Sequence, residues 1–445
     1  METSAADADP EMSADAYAIE TLLARFIRYH PDRIDLSLDR MYRLLADLGN
    51  PHEALPPVIH VAGTNSKGST TAFLAAALAA SGLSVSAYTS PHLVRFAERY
   101  QMAGEIIADA DLLALFEEID ARNAGQPITE FEITTAAAFL AMARAQTDIL
   151  LLETGLGGRY DATNVVVRPA AVIITPIGFD HMDVLGSTLS AIAGEKAAIQ
   201  KPGVPTIVAT QPTDAANVIA DAADAIGAPL HRRGVEWDLT ATPEGGGRYS
   251  RGETEWSLPR PRLPGRHQLE NAALAAACLD VCGFDGVTPE TVATGIGHTH
   301  WPGRMQQLTR GALVEALPAG SELWLDSAHN PMAAEALADT LDELQRANHR
   351  PLHLVLAMRD DKDVGGFLAP LMRHITGLIA VPLPGDDGTR STSDPVITLS
   401  NLGRHARTAT SVADALSQIA ARSAPVRVLV TGSHLLVGAA LRANG

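Results

Sequence analysis

A chain of 445 residues is longer than one hydrophobic core organises, so two or three domains are expected, and 46% hydrophobic with 19% charged residues is an ordinary globular balance. A formal charge of −18 with no compensating basic run excludes nucleic acid and anionic membrane as general partners. Any anionic ligand must meet positive charge gathered locally, and Lys67, Arg159, Arg266 and Arg304 all lie in glycine-rich contexts that suit this.

In chain order, residues 1–16 are acidic and rich in small side chains, the composition of a disordered tail. Residues 17–29 and 36–48 read as amphipathic helices, with Pro31-Asp32 and Gly49-Asn50-Pro51 as breaks. Residues 58–61 form a short apolar, β-branched run, as a buried parallel strand does. The segment Gly63-Thr64-Asn65-Ser66-Lys67-Gly68-Ser69 follows, and an Ala- and Leu-rich helical pattern over 70–80 ends at Gly82. Strand, small-residue loop with one lysine, and helix together make the layout of a phosphate cradle, in which loop amides and a helix N-terminus face an anion. The spacing is not that of the common Walker loop, because Gly63 lies four residues before Lys67. An ordinary glycine turn is the plainer explanation, but packing alone gives no reason for a lysine inside so tight a loop.

Residues 83–89 are a second strand ending in Ser90-Pro91-His92, and 111–122 and 132–146 are helices. Residues 148–153 are a third strand, running into Thr154-Gly155-Leu156-Gly157-Gly158-Arg159. A fourth, 171–177, ends at Gly178-Phe179-Asp180-His181; a helix over 189–200 and a strand over 206–209 follow. This alternation is the doubly wound α/β pattern of a P-loop-type domain, in which ligands bind beyond the carboxyl ends of the strands. From 230 to 264 short strand-like pieces, glycines and prolines indicate a β-rich appendage. A helix over 267–281 carries Cys278, with Cys282 just beyond it; this apolar pattern fits buried thiols better than a disulfide or metal pair. Trp301-Pro302-Gly303-Arg304 marks a boundary. Beyond it, strands at 322–326, 352–358, 378–381 and 426–430 alternate with helices, so 17–304 and 305–445 are expected as a larger domain and a smaller Rossmann-like α/β domain. With no signal peptide and no apolar run of spanning length, a cytoplasmic protein is expected.

Several polar residues stand at the predicted strand ends. Glu153 closes an Ile-Leu-Leu-Leu run where a magnesium-binding acid would sit, with a helix cap or surface glutamate as the alternative. His181, flanked by Asp180 and Asp183, closes the next strand, and the Ser90 hydroxyl is placed to complete a metal shell or to cap the turn before Pro91. Lys196, by residue type alone, is a solvated helix lysine. Arg304 lies in a Pro-Gly-Arg turn, and Asp326 and His329 close the first strand of the second domain, where packing gives no reason for them. Asn271, one turn into a helix, carries little by itself.

Taken together, GTNSKGS, YTSPHL, ETGLGGRYDATN, FDH, EKAAIQKPG, PGR and DSAHNP, in that order between about residues 34 and 438, resemble the folylpolyglutamate synthases of the Mur ligase superfamily. They look most like the bacterial bifunctional dihydrofolate synthase/folylpolyglutamate synthases. The resemblance implies a ligase that joins L-glutamate to dihydropteroate or to reduced folates, with ATP as co-substrate, through an acyl phosphate. It implies that Gly63, Thr64, Asn65, Ser66, Lys67, Gly68 and Ser69 hold the triphosphate, and that Asn271, Arg304, Asp326 and His329 meet the rest of the nucleotide. Two Mg2+ sites are implied, Ser90 with Glu153, and Glu153 with His181 and a carbamylated Lys196; Lys67, His181 and Lys196 would be the catalytic groups. In bifunctional members the pteroate pocket is lined by the positions of Leu36, Ser37, Phe131, Glu132, Tyr160, Asp161 and Ala162. Phe131 can stack on a pterin, and Asp161 can accept from its N–H donors. The second domain would supply the glutamate side, and a monomer with only small-molecule partners is expected.

One position departs from the family, which usually has glycine where this chain has Ser66. If a positive φ is required there, serine carries on the order of 1–2 kcal/mol of strain and crowds the phosphate. Two rival readings stand beside the bifunctional ligase: a ligase with only the polyglutamylating step, unable to turn over dihydropteroate, and a nucleotide-binding regulator that has lost turnover through Ser66.

Overall fold

The first strand of the larger sheet ends where a glycine turns into a helix. In the computed structural model, residues 13–30, 37–384, 396, 406–421 and 424–445 are described. The larger sheet comprises β1 (Val58–Ala62), β2 (Val85–Tyr88), β3 (Tyr100–Met102), β4 (Glu105–Ile106), β5 (Ile149–Glu153), β6 (Ala171–Ile174), β7 (Thr206–Val208) and β8 (Leu230–Arg232). Their order across the eight-stranded sheet is β4-β3-β2-β5-β1-β6-β7-β8. Neighbouring strands pair in parallel except at one edge, where β2–β3 and β3–β4 are antiparallel. β1 lies between β5 and β6, at the switch point of a doubly wound sheet, where a ligand crevice opens.

Both faces of this sheet are covered. The helix Lys67–Ala80 and the helices Arg266–Cys282 and Pro289–His298 bury Phe73, Leu78, Leu274 and Ile296 against Ile59, Val61 and Leu151. On the other face, the helices Glu130–Ala145, Asp109–Asn123 and Ala14–Arg28 set Phe139, Phe116 and Phe26 against Leu150 and Leu152. Burial on both sides explains why β1 and β5 are apolar almost throughout rather than alternating.

The appendage is a three-stranded antiparallel sheet of β9 (Asp238–Ala241), β10 (Gly247–Arg251) and β11 (Thr254–Leu258). The second α/β unit holds β12 (Gln306–Leu308), β13 (Glu322–Leu325), β14 (Leu352–Leu356), β15 (Ile375–Ala380), β16 (Ala406–Thr408) and β17 (Arg427–Thr431), in the order β12-β13-β17-β14-β15-β16. All of its pairings are parallel except β12–β13. No described helix is long and apolar enough to cross a membrane.

Several expectations need correction. Of the expected tail, residues 1–12 lie outside the described residues, but Ala14–Arg28 is already helical, because Ser13 accepts from the Ala16 amide at 3.1 Å as its cap. The hairpin β3–β4 and the helices Thr213–Ile226 and Pro289–His298 were not anticipated from sequence. The hairpin strands are too short to show a period, and the Thr288–Pro289 start, which the structure uses as a cap and first turn, resembles an ordinary break.

Candidate active site

The nucleotide-like loop is shorter than the sequence implies. The helix begins at Lys67, so Lys67, Gly68 and Ser69 form its first turn rather than the loop. Four residues make the turn, and they are pinned to the segment after β6. Thr64 N donates to Pro176 O at 3.1 Å, Thr175 Oγ1 donates to Asn65 O at 2.6 Å, and Thr64 Oγ1 donates to Gly178 O at 3.1 Å. Gly63 has φ +149°, and a Cβ there would overlap the Thr175 hydroxyl. Ser66 has φ +72°, so the positive-φ condition raised by the sequence is met by a residue with a Cβ. The first amides of a helix have no carbonyl partners within it, and those at Lys67–Ser69 head a 14-residue helix whose start lines the cavity.

Two lysines reach this loop. Lys67 Nζ donates to Gly63 O at 3.2 Å and lies 4.0 Å from Glu153 Oε1. Lys196, on the helix Leu189–Ala197, is buried and donates to the same Gly63 O at 3.0 Å. It is therefore not the solvated lysine that its residue type indicates. Burial, and secondarily Lys67, bring its amine pKa down to about 7. Glu153 ends β5 beside Val61 of β1, and burial pushes its carboxyl up to about 7 against the opposing pull of Lys67 and Arg304. His181 stands at the N-terminus of a short turn with φ +50°, its Nε2 3.9 Å from Asp180 Oδ1, and burial lowers its pKa. Ser90 follows β2 and precedes Pro91 through a cis peptide bond.

The second unit supplies the opposite wall. Asp326, just past β13, accepts from the amides of Met305 at 2.8 Å and Ala328 at 2.9 Å, and burial raises its pKa. Arg304 Nη2 lies 3.4 Å from His434 Nε2. His329 Nδ1 is 2.8 Å from Ser327 O, while its Nε2 is 3.4 Å from Asp180 Oδ2. Asn271 belongs to the larger unit, where it is buried on the helix Arg266–Cys282 and donates to Gln268 Oε1 at 3.1 Å.

Three residues in this region were not singled out from sequence: Lys362, Asn330 and His434. Lys362, from the loop after β14, donates to Asp180 Oδ1 at 2.6 Å, and Asn330 donates to Asp180 Oδ2 at 3.0 Å. Burial opposes ionisation of Asp180, but the bonds from His329 and Lys362 outweigh it and hold the carboxyl far below its ordinary range. The available signal was positional: Lys362 and His434 follow strand carboxyl ends, as Asp326 does.

The described residues among those expected to line a pteroate pocket border the same space. Leu36 lies outside the described residues. The Phe131 ring covers Gly155, where a Cβ would overlap it, and is tilted against Tyr88 at 6.4 Å. Glu132 is buried and already committed, receiving Arg40 Nη2 at 3.0 Å and Thr129 N at 2.8 Å. Asp161 caps the turn Ala162–Val165, taking Thr163 N at 3.0 Å and Leu156 N at 2.8 Å, and burial raises its pKa. Tyr160 is 46% exposed, whereas Ala162 is buried. Ser37 and all of these described residues, together with the loop, Ser90, Glu153, His181, Lys196, Asn271, Arg304, Asp326 and His329, line one cavity of about 1150 Å³. The carboxyl edges of the two larger sheets thus face one another across it.

The chain is similar to known proteins over nearly all of this architecture. Residues 61–279 match the Mur ligase middle domain and residues 315–443 match the family described as dihydrofolate synthetase, C-terminal domain. The dihydrofolate synthase/folylpolyglutamate synthase of Bacillus subtilis is 39% identical over 338 residues, 73% of this chain and 76% of that protein. The structure described as E. coli FolC in complex with DHPP and ADP superposes with a TM-score of 0.83 at 33% identity, covering 97% of this chain and 98% of the other. A bifunctional folylpolyglutamate synthase/dihydrofolate synthase with Mn, AMPPNP and L-glutamate bound gives 0.81 at 32% identity, covering 95% and 97%.

Proposed function

The chain belongs to the dihydrofolate synthase/folylpolyglutamate synthase family of Mur ligases, and from that premise we propose that it uses ATP to join L-glutamate to dihydropteroate and to reduced folates. One observation carries the reading: Lys67, Lys196 and Glu153 meet at the Gly63–Ser66 turn, facing Arg304, Asp326 and His329 across a cavity that also holds Phe131 and Asp161. On this reading, phosphate binding and ring binding share one space between the two units. The enzyme acts in the cytoplasm as a monomer on this reading.

The residues divide the work. Turn and helix amides at Gly63–Ser69 bind the triphosphate, and Lys67 follows the charge that builds on the transferred phosphoryl oxygens. Arg304, Asp326, His329 and Asn271 hold the remainder of the nucleotide. Phe131, Tyr160, Asp161, Glu132, Ser37, Leu36 and Ala162 orient the pteroate, so that its carboxylate attacks the γ-phosphorus in line and ADP leaves from an acyl phosphate. The glutamate amine then attacks the acyl carbon, and phosphate departs. Closure of the two units excludes water that would hydrolyse the acyl phosphate.

The donor set fits a hard divalent cation. Glu153 is a buried carboxylate with the Lys67 ammonium 4.0 Å away, and Ser90 and His181 line the same cavity. Lys196 lines the same cavity as Glu153 and His181, and its carbamate would add a further carboxylate-type oxygen ligand there. We assign one Mg2+ to Ser90 and Glu153, and another to Glu153, His181 and carbamylated Lys196. Bound there, the cations would withdraw charge from the reacting phosphoryl oxygens.

The test is phosphate release with ATP, magnesium and L-glutamate, comparing dihydropteroate with tetrahydrofolate as acceptor. Release with both, each product heavier by one glutamate, is expected. Release with tetrahydrofolate alone would leave only the polyglutamylating step, and release with neither would favour a nucleotide-binding regulator.

A further inference from the structure

Asn330 lies 3% exposed at the N-terminus of the helix Pro331–Ala347. Its carboxamide makes four hydrogen bonds, its full capacity. Oδ1 accepts from Ala333 N at 2.9 Å and from Asn65 Nδ2 at 3.0 Å. Nδ2 donates to Asn65 Oδ1 at 2.9 Å and to Asp180 Oδ2 at 3.0 Å. The orientation of the amide is dictated by chemistry, because the Ala333 N–H requires an acceptor and the Asp180 carboxylate requires a donor. Turning the group over would set donor against donor and acceptor against acceptor.

A helix cap needs only the first of these bonds, and serine or threonine would provide it. The other three cross the cleft to the larger unit. Two form a reciprocal amide pair with Asn65, inside the phosphate-type turn and next to Ser66 at φ +72°. The third reaches Asp180, which is itself anchored by Lys362 Nζ at 2.6 Å and by His181 N at 2.9 Å. One side chain of the second unit thus grips both the turn and a fixed carboxylate beside it.

We propose that Asn330 is a positioning residue that couples closure of the cleft to the geometry of the Gly63–Ser66 turn, acting through Asn65. When the units are docked, the Asn65 side chain is tied off and the turn is held open to phosphate; when they separate, the amide pair is lost. The proposal rests on the nucleotide-loop reading given above, but not on any particular acceptor substrate.

The experiment is a double-mutant cycle on the full chain, read as the dissociation constant for AMPPNP with magnesium in Asn330→Ser, Asn65→Ala and the double variant. Serine keeps the cap to Ala333 but cannot reach Asn65 or Asp180, so the three bonds that cross the cleft are lost while the helix start is retained. Loss of the pair should weaken AMPPNP about fivefold in Asn330→Ser, with no further loss when the same change is added to Asn65→Ala. Unchanged binding in Asn330→Ser, or the same loss in both backgrounds, overturns the coupling. A fall in melting temperature leaves these outcomes readable, because a purely structural role would not make the two effects merge. A wild-type chain that binds AMPPNP but releases no phosphate with any acceptor would refute the ligase reading and leave the cycle interpretable. A wild-type chain that does not bind AMPPNP refutes both.

Discussion

The amines of Lys67 and Lys196 converge on one oxygen: the carbonyl of Gly63 accepts from the first at 3.2 Å and from the second at 3.0 Å. Two ammonium groups sharing one carbonyl in a buried site repel each other, and the more buried Lys196 yields, its pKa falling to about 7 through burial and then through Lys67. An amine that is largely neutral just above neutrality can add carbon dioxide, releasing a proton and leaving a carbamate.

Lys196→Arg keeps the positive charge but forms no carbamate, and we expect at least about a hundredfold loss of kcat from it, in line with the loss of a metal-ligating group. Because the free amine predominates above about pH 7, protein stripped of carbon dioxide should regain activity, at equal concentrations of dissolved carbon dioxide, faster at pH about 8 than at about 6. Isotope-labelled bicarbonate should give a carbamate signal in the wild type; its absence in fully active protein would count decisively against the modification.

Ser66→Gly removes a Cβ from a residue held at φ +72°. Relief of strain, partly offset by the greater freedom of glycine in the unfolded chain, should stabilise the protein by about 0.5–1 kcal/mol, visible in thermal melting. The KM for ATP should fall as well. An unchanged KM would mean that the serine does not crowd the phosphate.

Gly155→Ala places a methyl group where the Phe131 ring now lies. Overpacking of this kind costs about 1–3 kcal/mol, so the KM for dihydropteroate should rise about tenfold or more while the KM for ATP stays near its wild-type value. Equal effects on both constants would argue that Phe131 does not belong to the pteroate pocket.

His60, within β1, is fully buried, its Nε2 2.8 Å from Thr163 Oγ1. Burial, aided by Lys201, lowers its pKa to about 3. The folded-state value lies below the unfolded one of about 6.5, so the unfolded chain takes up the proton first and stability is lost as pH falls through that window. At pH about 5 this amounts to roughly 2 kcal/mol relative to pH about 7.5. Urea unfolding at both pH values should show that difference shrinking in His60→Asn, which has no group to titrate.

The strand–turn–helix from Val58 to Ala80 was legible because its signals are local: a β-branched run, a glycine at φ +149° and an alanine-rich helix all lie within about two dozen residues. The placement of Glu153 at a strand end, and of His181, Asp326 and His329 beyond strand ends, was legible for the same reason, since strand ends can be read from apolar runs. The exact start of the helix at Lys67 was not, because it depends on Thr175 and the carbonyl of Pro176 pinning the turn from another strand.

Side-chain fate divides along the same line. Periodicity and composition carried the two α/β units, the β-rich character of the appendage and the strand-end polar clusters, and the string of motifs carried the family, since each depends on neighbours along the chain. The burial of Lys196, the commitment of Glu132 to Arg40, and the ion pair between Asp180 and Lys362, 182 residues apart, arose only when distant elements packed together. A lysine on a helix reads alike whether it faces water or a cavity. Which it faces is decided by desolvation and by partners that the fold brings from elsewhere in the chain.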